Sequence, residues 1–189
     1  MPDRLYLSFW LKDFNPELMP ARFGQLLRAF PFSQLRPGIS LLKVLAIGES
    51  EPPLLERAFA EPPGVEEVLR AAAEFSGPDC ALVAEGYWEL WRWEGQWRLR
   101  PSPVVLSCFG PLFENDLGDH LRVELGWEAQ FLPDASLPQA ARTARSNLRS
   151  VLRLSEDVTK ACHVARRLLW SESGEDLVRL LEESLAECD

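Results

Sequence analysis

Alternating apolar and polar residues mark the sheet-forming parts of this chain. Leucine or phenylalanine occupies every odd position from Leu5 to Leu11. Such a period of two is typical of a strand with one buried face. Residues 80–132 repeat the pattern in several runs broken by glycines, with a tight-turn signal at Glu94-Gly95. This stretch predicts an antiparallel meander, and it holds five of the seven tryptophans.

Two short helices are expected before the meander. The first has apolar residues at helical spacing and is preceded by Pro20 and followed by Pro31, while the second follows Pro63-Gly64 and has glutamates in its first turn. Their apolar faces are Phe23, Leu26, Leu27 and Phe30 in the first helix and Val65, Val68, Leu69 and Ala72 in the second.

The hydrophobic period changes after residue 135. Ser136 and Pro138 are typical of a helix start. Apolar or small residues then recur in steps of four and three, which predicts a helix of about thirty-three residues, roughly 50 Å long. A second capping signal at Ser173-Gly174 and a leucine-rich acidic stretch predict a further helix. The seam of the long helix is Leu137, Ala141, Ala144, Leu148, Val151, Ser155, Val158, Cys162, Ala165 and Leu169.

These elements predict an α+β fold. A largely antiparallel, Trp-rich sheet is expected to pack against two N-terminal helices and a long C-terminal helical hairpin. The chain has 189 residues, a length that suits a single domain. Within it, residues 1–134 are the sheet portion and residues 135–189 the helical portion.

Charge and cysteine usage narrow the class of protein. The formal net charge is −9 at pH 7, which argues against nucleic acid as a partner and favours steering toward a basic one. No apolar run is long enough to span a bilayer, and the N-terminus lacks the pattern of a signal peptide. The four cysteines are scattered, as is usual for free thiols in a reducing compartment, so a cytoplasmic location is expected.

Few residues are suited to catalysis. The chain has only two histidines and none of the common catalytic or nucleotide-binding motifs. Cys108 is a candidate nucleophile, with His120 as base and Asp119 as orienting carboxylate. The competing interpretation is a buried cysteine acting as a small apolar residue in a strand, and it is favoured because free cysteines are usually buried.

An acidic loop at the end of the meander offers oxygen and nitrogen ligands. The spacing fits no calcium-binding loop, and a solvated turn explains the same residues. No metal and no cofactor is therefore expected. The residues concerned are Glu114, Asp116, Asp119 and His120.

The tryptophans are the candidate binding residues. Strand periodicity places Tyr87, Glu89, Trp91 and Trp93 on one face, and Trp88, Leu90 and Arg92 on the other. Two covered faces are the favoured interpretation, with the terminal helices on one side. The alternative is that one face is a recognition surface, because Trp and Arg are favoured interface anchors. Nearby carboxylates leave open a glycan site or a hydrolase, with Glu89, Glu94 and Glu124 as candidates. The binding set is Trp88, Trp91, Trp93, Trp97 and Arg92.

The long helix has a basic flank. A phosphate-binding stripe is one interpretation, and a solvated face is the favoured one. Its seam could also mediate homo-oligomerisation, although small residues such as Ala144 suit packing within the monomer better. The flank consists of Arg142, Arg145, Arg149, Arg153, Lys160 and Arg167.

These observations together favour a soluble, non-catalytic protein-binding module. One version is an acidic inhibitor or immunity-type protein that binds a basic partner. The alternative is a small-molecule or glycan-binding protein, or a hydrolase, with its pocket between the Trp-rich sheet and the 110–120 loop.

Overall fold

The computed structural model describes residues 3–36, 38–131 and 138–172. Within them, the chain folds into one mixed α/β unit with a seven-stranded, wholly antiparallel sheet and three α-helices. The helices are α1 (Met19–Ala29), α2 (Val65–Ala73) and α3 (Pro138–Cys162). The strands are β1 (Arg4–Leu11), β2 (Ile39–Ala46), β3 (Leu55–Ala58), β4 (Cys80–Trp93), β5 (Trp97–Phe109), β6 (Leu121–Trp127) and β7 (Val164–Ser171).

The strand order across the sheet is β3-β2-β4-β5-β6-β1-β7. The meander β4-β5-β6 lies in the middle, and β1 joins it beside β6. The predicted turn at Glu94-Gly95 connects β4 to β5, where Gly95 has a left-handed φ of 76° that a glycine adopts without strain. The sheet is thus organised around the meander, as the alternation predicts.

All three helices pack on one face of the sheet. Alternate residues of each central strand join buried helix residues in a single core, in which Phe9, Phe23 and Trp88 are among the largest fully buried side chains. The residues on the buried side of α3 belong to the same core, among them Leu148, Val151, Leu154, Val158 and Cys162. The seam residues from Ala144 to Cys162 are therefore buried within the chain.

The predicted C-terminal helical hairpin is not what the structure shows. One helix, α3, ends at Cys162, and His163 takes a left-handed φ of 56° that turns the chain. Residues 164–171 then form β7 along β1, although Ala165 and Leu169 were assigned to the helical seam. The predicted last helix falls after residue 172, outside the described residues.

Local side-chain contacts explain why this segment is extended. The Trp170 ring stacks on Tyr6 at 4.4 Å between centroids, and Arg166 lies over the Trp10 ring at 4.4 Å. The Lys12 amide also donates to the His163 carbonyl. The free edge of β1 offers backbone partners for a whole strand, and this pairing outweighs the helical period of the sequence.

No helix in the described part of the chain combines the length and apolar character needed to cross a membrane.

Candidate functional site

Cys108 lies in the helix-facing core. Its side chain is fully buried, its Sγ lies 3.7 Å from the carbonyl oxygen of Met19, and burial raises the pKa of its thiol far above the ordinary value. Cys108 pairs with Leu121 on β6, and its thiol and the His120 ring contact different backbone groups, the Met19 carbonyl and the Leu11 amide.

His120 has structural partners instead. Its Nδ1 accepts a hydrogen bond of 2.9 Å from the Leu11 amide, and its ring stacks on Phe14 at 4.3 Å. Burial lowers the pKa of His120, and the nearby Asp119 carboxylate opposes that shift. The neutral ring therefore holds the end of β1 against the 110–120 loop.

Asp119 is buried and belongs to an ion-pair network. It accepts hydrogen bonds from Arg122 at 2.7 and 3.0 Å and from the Asn115 amide at 2.8 Å. These bonds satisfy its carboxylate and shape the loop before β6. Within the described residues no group of three or more His, Cys, Asp or Glu side chains could hold a metal ion.

The tryptophans divide between core and surface. Trp88 is only 1% exposed, whereas Trp91 is 37% and Trp93 40% exposed. Trp97 is half-buried, and Arg92 is exposed with its Nη2 3.2 Å from the Ser102 hydroxyl oxygen. The binding set expected from the sequence is thus split, because Trp88 serves the fold.

Trp91, Trp93 and Trp97 lie on a two-stranded arm. Beyond Gly86 on β4, and before Val105 on β5, the two strands form continuous ladders only with each other. Cross-strand pairing sets Trp91 opposite Leu99 and Trp93 opposite Trp97. Because facing residues in an antiparallel pair share a side, these four side chains form one apolar strip. We call residues 87–103 the aromatic arm.

A buried asparagine fastens the aromatic arm to α3. The Asn147 side-chain oxygen accepts from the Trp91 amide at 2.8 Å, and its nitrogen donates to the carbonyls of Trp91 at 3.1 Å and Gln130 at 2.9 Å. Its amide thus takes the place of a neighbouring strand at the outer edge of β4. The arm is held at its midpoint, with its tip projecting beyond.

Glu89 has a role in positioning a loop. Its Oε1 accepts from the Ser33 hydroxyl at 3.0 Å and from the amides of Gln34 and Leu35 at 2.6 and 3.1 Å. On the same loop, Arg36 lies 4.9 Å from the centre of the Tyr87 ring. This loop therefore contacts the base of the aromatic arm, and Glu89 is occupied in holding it.

The sheet face opposite the helices forms a second candidate surface. It contains a cavity of about 440 Å³ whose floor includes Val83, Val105 and Ser107. Strand pairing aligns Val105 with Glu85 on one side and Glu124 on the other, and continues the row through Tyr6 to Trp170. We call this surface the open face, because no helix in the described part of the chain covers it.

Carboxylates dominate the open face. Two cations, Lys43 and Arg122, also line the cavity, so its formal charge is −4. Burial raises the pKa of Glu124, and the Arg4 guanidinium that pairs with it opposes the shift. The six glutamates of the cavity are Glu49, Glu51, Glu56, Glu85, Glu124 and Glu172.

Arg122 stands at the centre of this face. Its guanidinium forms an ion pair with the buried Asp119. It also lies 4.8 Å from the centre of the Phe109 ring and 5.8 Å from that of the Trp170 ring. Its contact with Glu49 is longer, at 3.8 Å. The Asp119 carboxylate therefore neutralises Arg122 from beneath the surface.

The structural roles of Asn147 and Glu89 were not predicted from the sequence. The cavity of the open face was not predicted either. A polar residue beside Leu148 on the buried flank of α3 was the available signal for Asn147. Alternation with Leu121, Val123 and Leu125 indicates that Arg122 and Glu124 face outward, but their grouping with Tyr6 and Trp170 depends on the strand order.

Comparison of the chain with known protein families, curated proteins and solved structures gives no match. Its function is therefore inferred from the geometry of these two surfaces.

Proposed function

We propose that the protein is a non-catalytic protein-binding module that uses the aromatic arm to contact its partner. The observation that carries this proposal is the apolar strip of Trp91, Trp93, Trp97 and Leu99 on one side of a projecting hairpin. Each exposed indole leaves a large apolar area in water, and burying such area contributes roughly 25 cal/mol per Å². Tryptophans at the centre of an interface are frequent binding hot spots.

The chemistry of the chain supports an acidic inhibitor or immunity-type protein. A net charge of −9 would accelerate encounter with a basic toxin or enzyme. Cys108 is buried with a raised thiol pKa, and His120 accepts a backbone hydrogen bond, so the proposed thiol and base are both occupied. Cys80, Cys108 and Cys162 are free thiols, which supports our placing the protein in the cytosol.

Affinity capture from native cells at low salt tests the proposal. The wild-type chain is compared with a Trp91→Ser, Trp93→Ser double variant and with a control, Trp127→Ser. Trp127 is 44% exposed and lies on β6, outside the aromatic arm. We expect a stoichiometric partner protein with the wild type and the control, and loss of that partner with the arm variant.

Two results would contradict this function. One is the absence of any stoichiometric partner at low salt, and the other is equal capture by the arm variant. Circular dichroism must show that the arm variant is folded, which we expect because neither indole is in the core.

A second function, glycan binding or hydrolysis, is favoured by one observation on the open face. Glu85 and Glu124 lie on either side of Val105, beside the stacked rings of Tyr6 and Trp170. Two carboxylates across a cleft are the minimum for glycoside hydrolysis. However, each one already pairs with a cation, Glu85 with Lys43 and Glu124 with Arg4. Calorimetric titration with oligosaccharides would support this function only if binding is saturable and is lost on Glu124→Gln.

A further inference from the structure

The open face and the aromatic arm are separate surfaces. No residue of the aromatic arm lines the cavity of the open face. The loop at residues 33–36 contacts Tyr87 and Glu89 at the base of the arm. The cavity of the open face is instead formed by the central strands, by the segment that leads into β3 and by β7. A ligand of the open face therefore need not touch the arm.

The negative charge of the open face is only partly neutralised from within the chain. Glu85 pairs with Lys43 at 2.6 Å, and Glu124 pairs with Arg4. In the described part of the chain, Glu51 and Glu56 have no cationic partner, and Glu172 accepts a hydrogen bond of 2.9 Å from the Tyr6 hydroxyl instead. These three carboxylates are available to a cation from outside.

Aromatic rings stand beside these carboxylates. Tyr6 and Trp170 stack at 4.4 Å, and the Tyr6 hydroxyl contacts Glu172. The long aliphatic stem of an arginine or lysine can pack along such rings, while its charged head reaches a carboxylate. The same surface already holds one guanidinium in this way, since Arg122 lies near the rings of Phe109 and Trp170.

We infer that the open face is a docking surface for a basic segment of a partner protein, whose arginine or lysine side chains enter the cavity between β3 and β7. Charge complementarity selects this occupant, because the cavity carries a formal charge of −4. An acidic segment would meet like charges on both walls. The inference adds a second contact to the proposed function, and it is independent of the aromatic arm.

A defined peptide tests the docking surface without knowledge of the natural partner. The probe is a short, fluorescein-labelled synthetic peptide that alternates arginine and serine, and its comparison carries glutamate in place of arginine. Fluorescence anisotropy measures binding to the full chain at low and at high salt. We expect saturable binding of the arginine peptide that weakens as salt rises, because the contacts are partly exposed ion pairs.

Matched variants locate the binding. Glu51→Gln with Glu56→Gln removes two open-face charges from exposed residues, and we expect a Kd about tenfold higher, since each exposed charge pair contributes a few-fold in affinity. Glu17→Gln with Glu74→Gln removes the same charge from exposed residues elsewhere. That control should change the Kd by less than about twofold.

Three results would overturn the inference. They are no binding of the arginine peptide at low salt, equal binding of the glutamate peptide, and an equal loss in the control, which would mean that net charge alone attracts the probe. The Trp91→Ser, Trp93→Ser variant separates the two proposals, because it should bind the peptide like the wild type. If the arm variant loses a cellular partner but the wild-type chain does not bind the arginine peptide, the docking surface is wrong and the proposed function is still supported.

Discussion

Replacement of Asn147 by leucine should destabilise the protein strongly. The two side chains share the same branched skeleton of four heavy atoms, so packing beside Leu148 is largely kept while all three hydrogen bonds of the Asn147 amide are lost. The backbone N–H and C=O of Trp91 and the carbonyl of Gln130 would then lack their partner at a site where Asn147 is only 1% exposed.

The size of the effect follows from these three backbone groups. A buried polar group that loses its partner costs about 1–3 kcal/mol, and water can reach the arm edge of β4 in part. We therefore expect a loss of about 3 kcal/mol in the free energy of unfolding. For a chain of this size, that corresponds to a fall in Tm of roughly 10 °C.

Urea unfolding followed by circular dichroism measures this loss. Ser150→Ala is the matched control on the same helix, because the Ser150 hydroxyl donates only to the carbonyl of Ser146 within α3. It should change the free energy of unfolding by less than about 0.5 kcal/mol. If Asn147→Leu also stays within about 1 kcal/mol of the wild type, the proposed fastening of the aromatic arm is wrong.

Three further substitutions or conditions test other parts of the structure. Gly86→Ala should lower the free energy of unfolding by roughly 3 kcal/mol or more, because the new Cβ would lie 2.1 Å from the carbonyl oxygen of Gly38. Urea unfolding measures this loss. The pKa of His120 is lowered in the folded state, so the unfolded chain takes up the proton first as the pH falls. The free energy of unfolding should decrease as the pH falls from about 7 to about 5.5, and His120→Gln should flatten that slope. Cys108 is fully buried with a raised thiol pKa, so iodoacetamide should modify it only after unfolding, as mass spectrometry can show.

A specific result would contradict each of these three predictions. Gly64→Ala is the control for Gly86, because nothing lies within 4 Å of its added Cβ, and an equal effect of the two variants would show that no clash occurs. A pH slope that is unchanged in His120→Gln would assign the slope to other groups. Rapid alkylation of Cys108 in the native protein would reopen its candidacy as a nucleophile.

Local sequence patterns were sufficient to predict the helices and the turn that are formed by residues close together in the sequence. The apolar spacing of α1 and α2 and the turn at Glu94-Gly95 are recorded in short windows of sequence, and the structure shows those elements. The short strand β3 has no clear signal in the sequence, because residues 49–64 are rich in proline and glutamate. Its pairing with β2 is made by backbone atoms, which leave little trace in the side chains.

The sequence by itself determined which side chains of β1 and of the meander strands share a face, because side-chain alternation is a property of each strand alone. Only the tertiary structure decided that residues 164–171 pair with β1 and so bring Trp170 beside Tyr6. It likewise brought Glu85 and Glu124 to the two sides of Val105, since strand order sets which outward-facing residues become neighbours. The aromatic arm is therefore a local hairpin, whereas the open face is an arrangement that long-range strand pairing supplied.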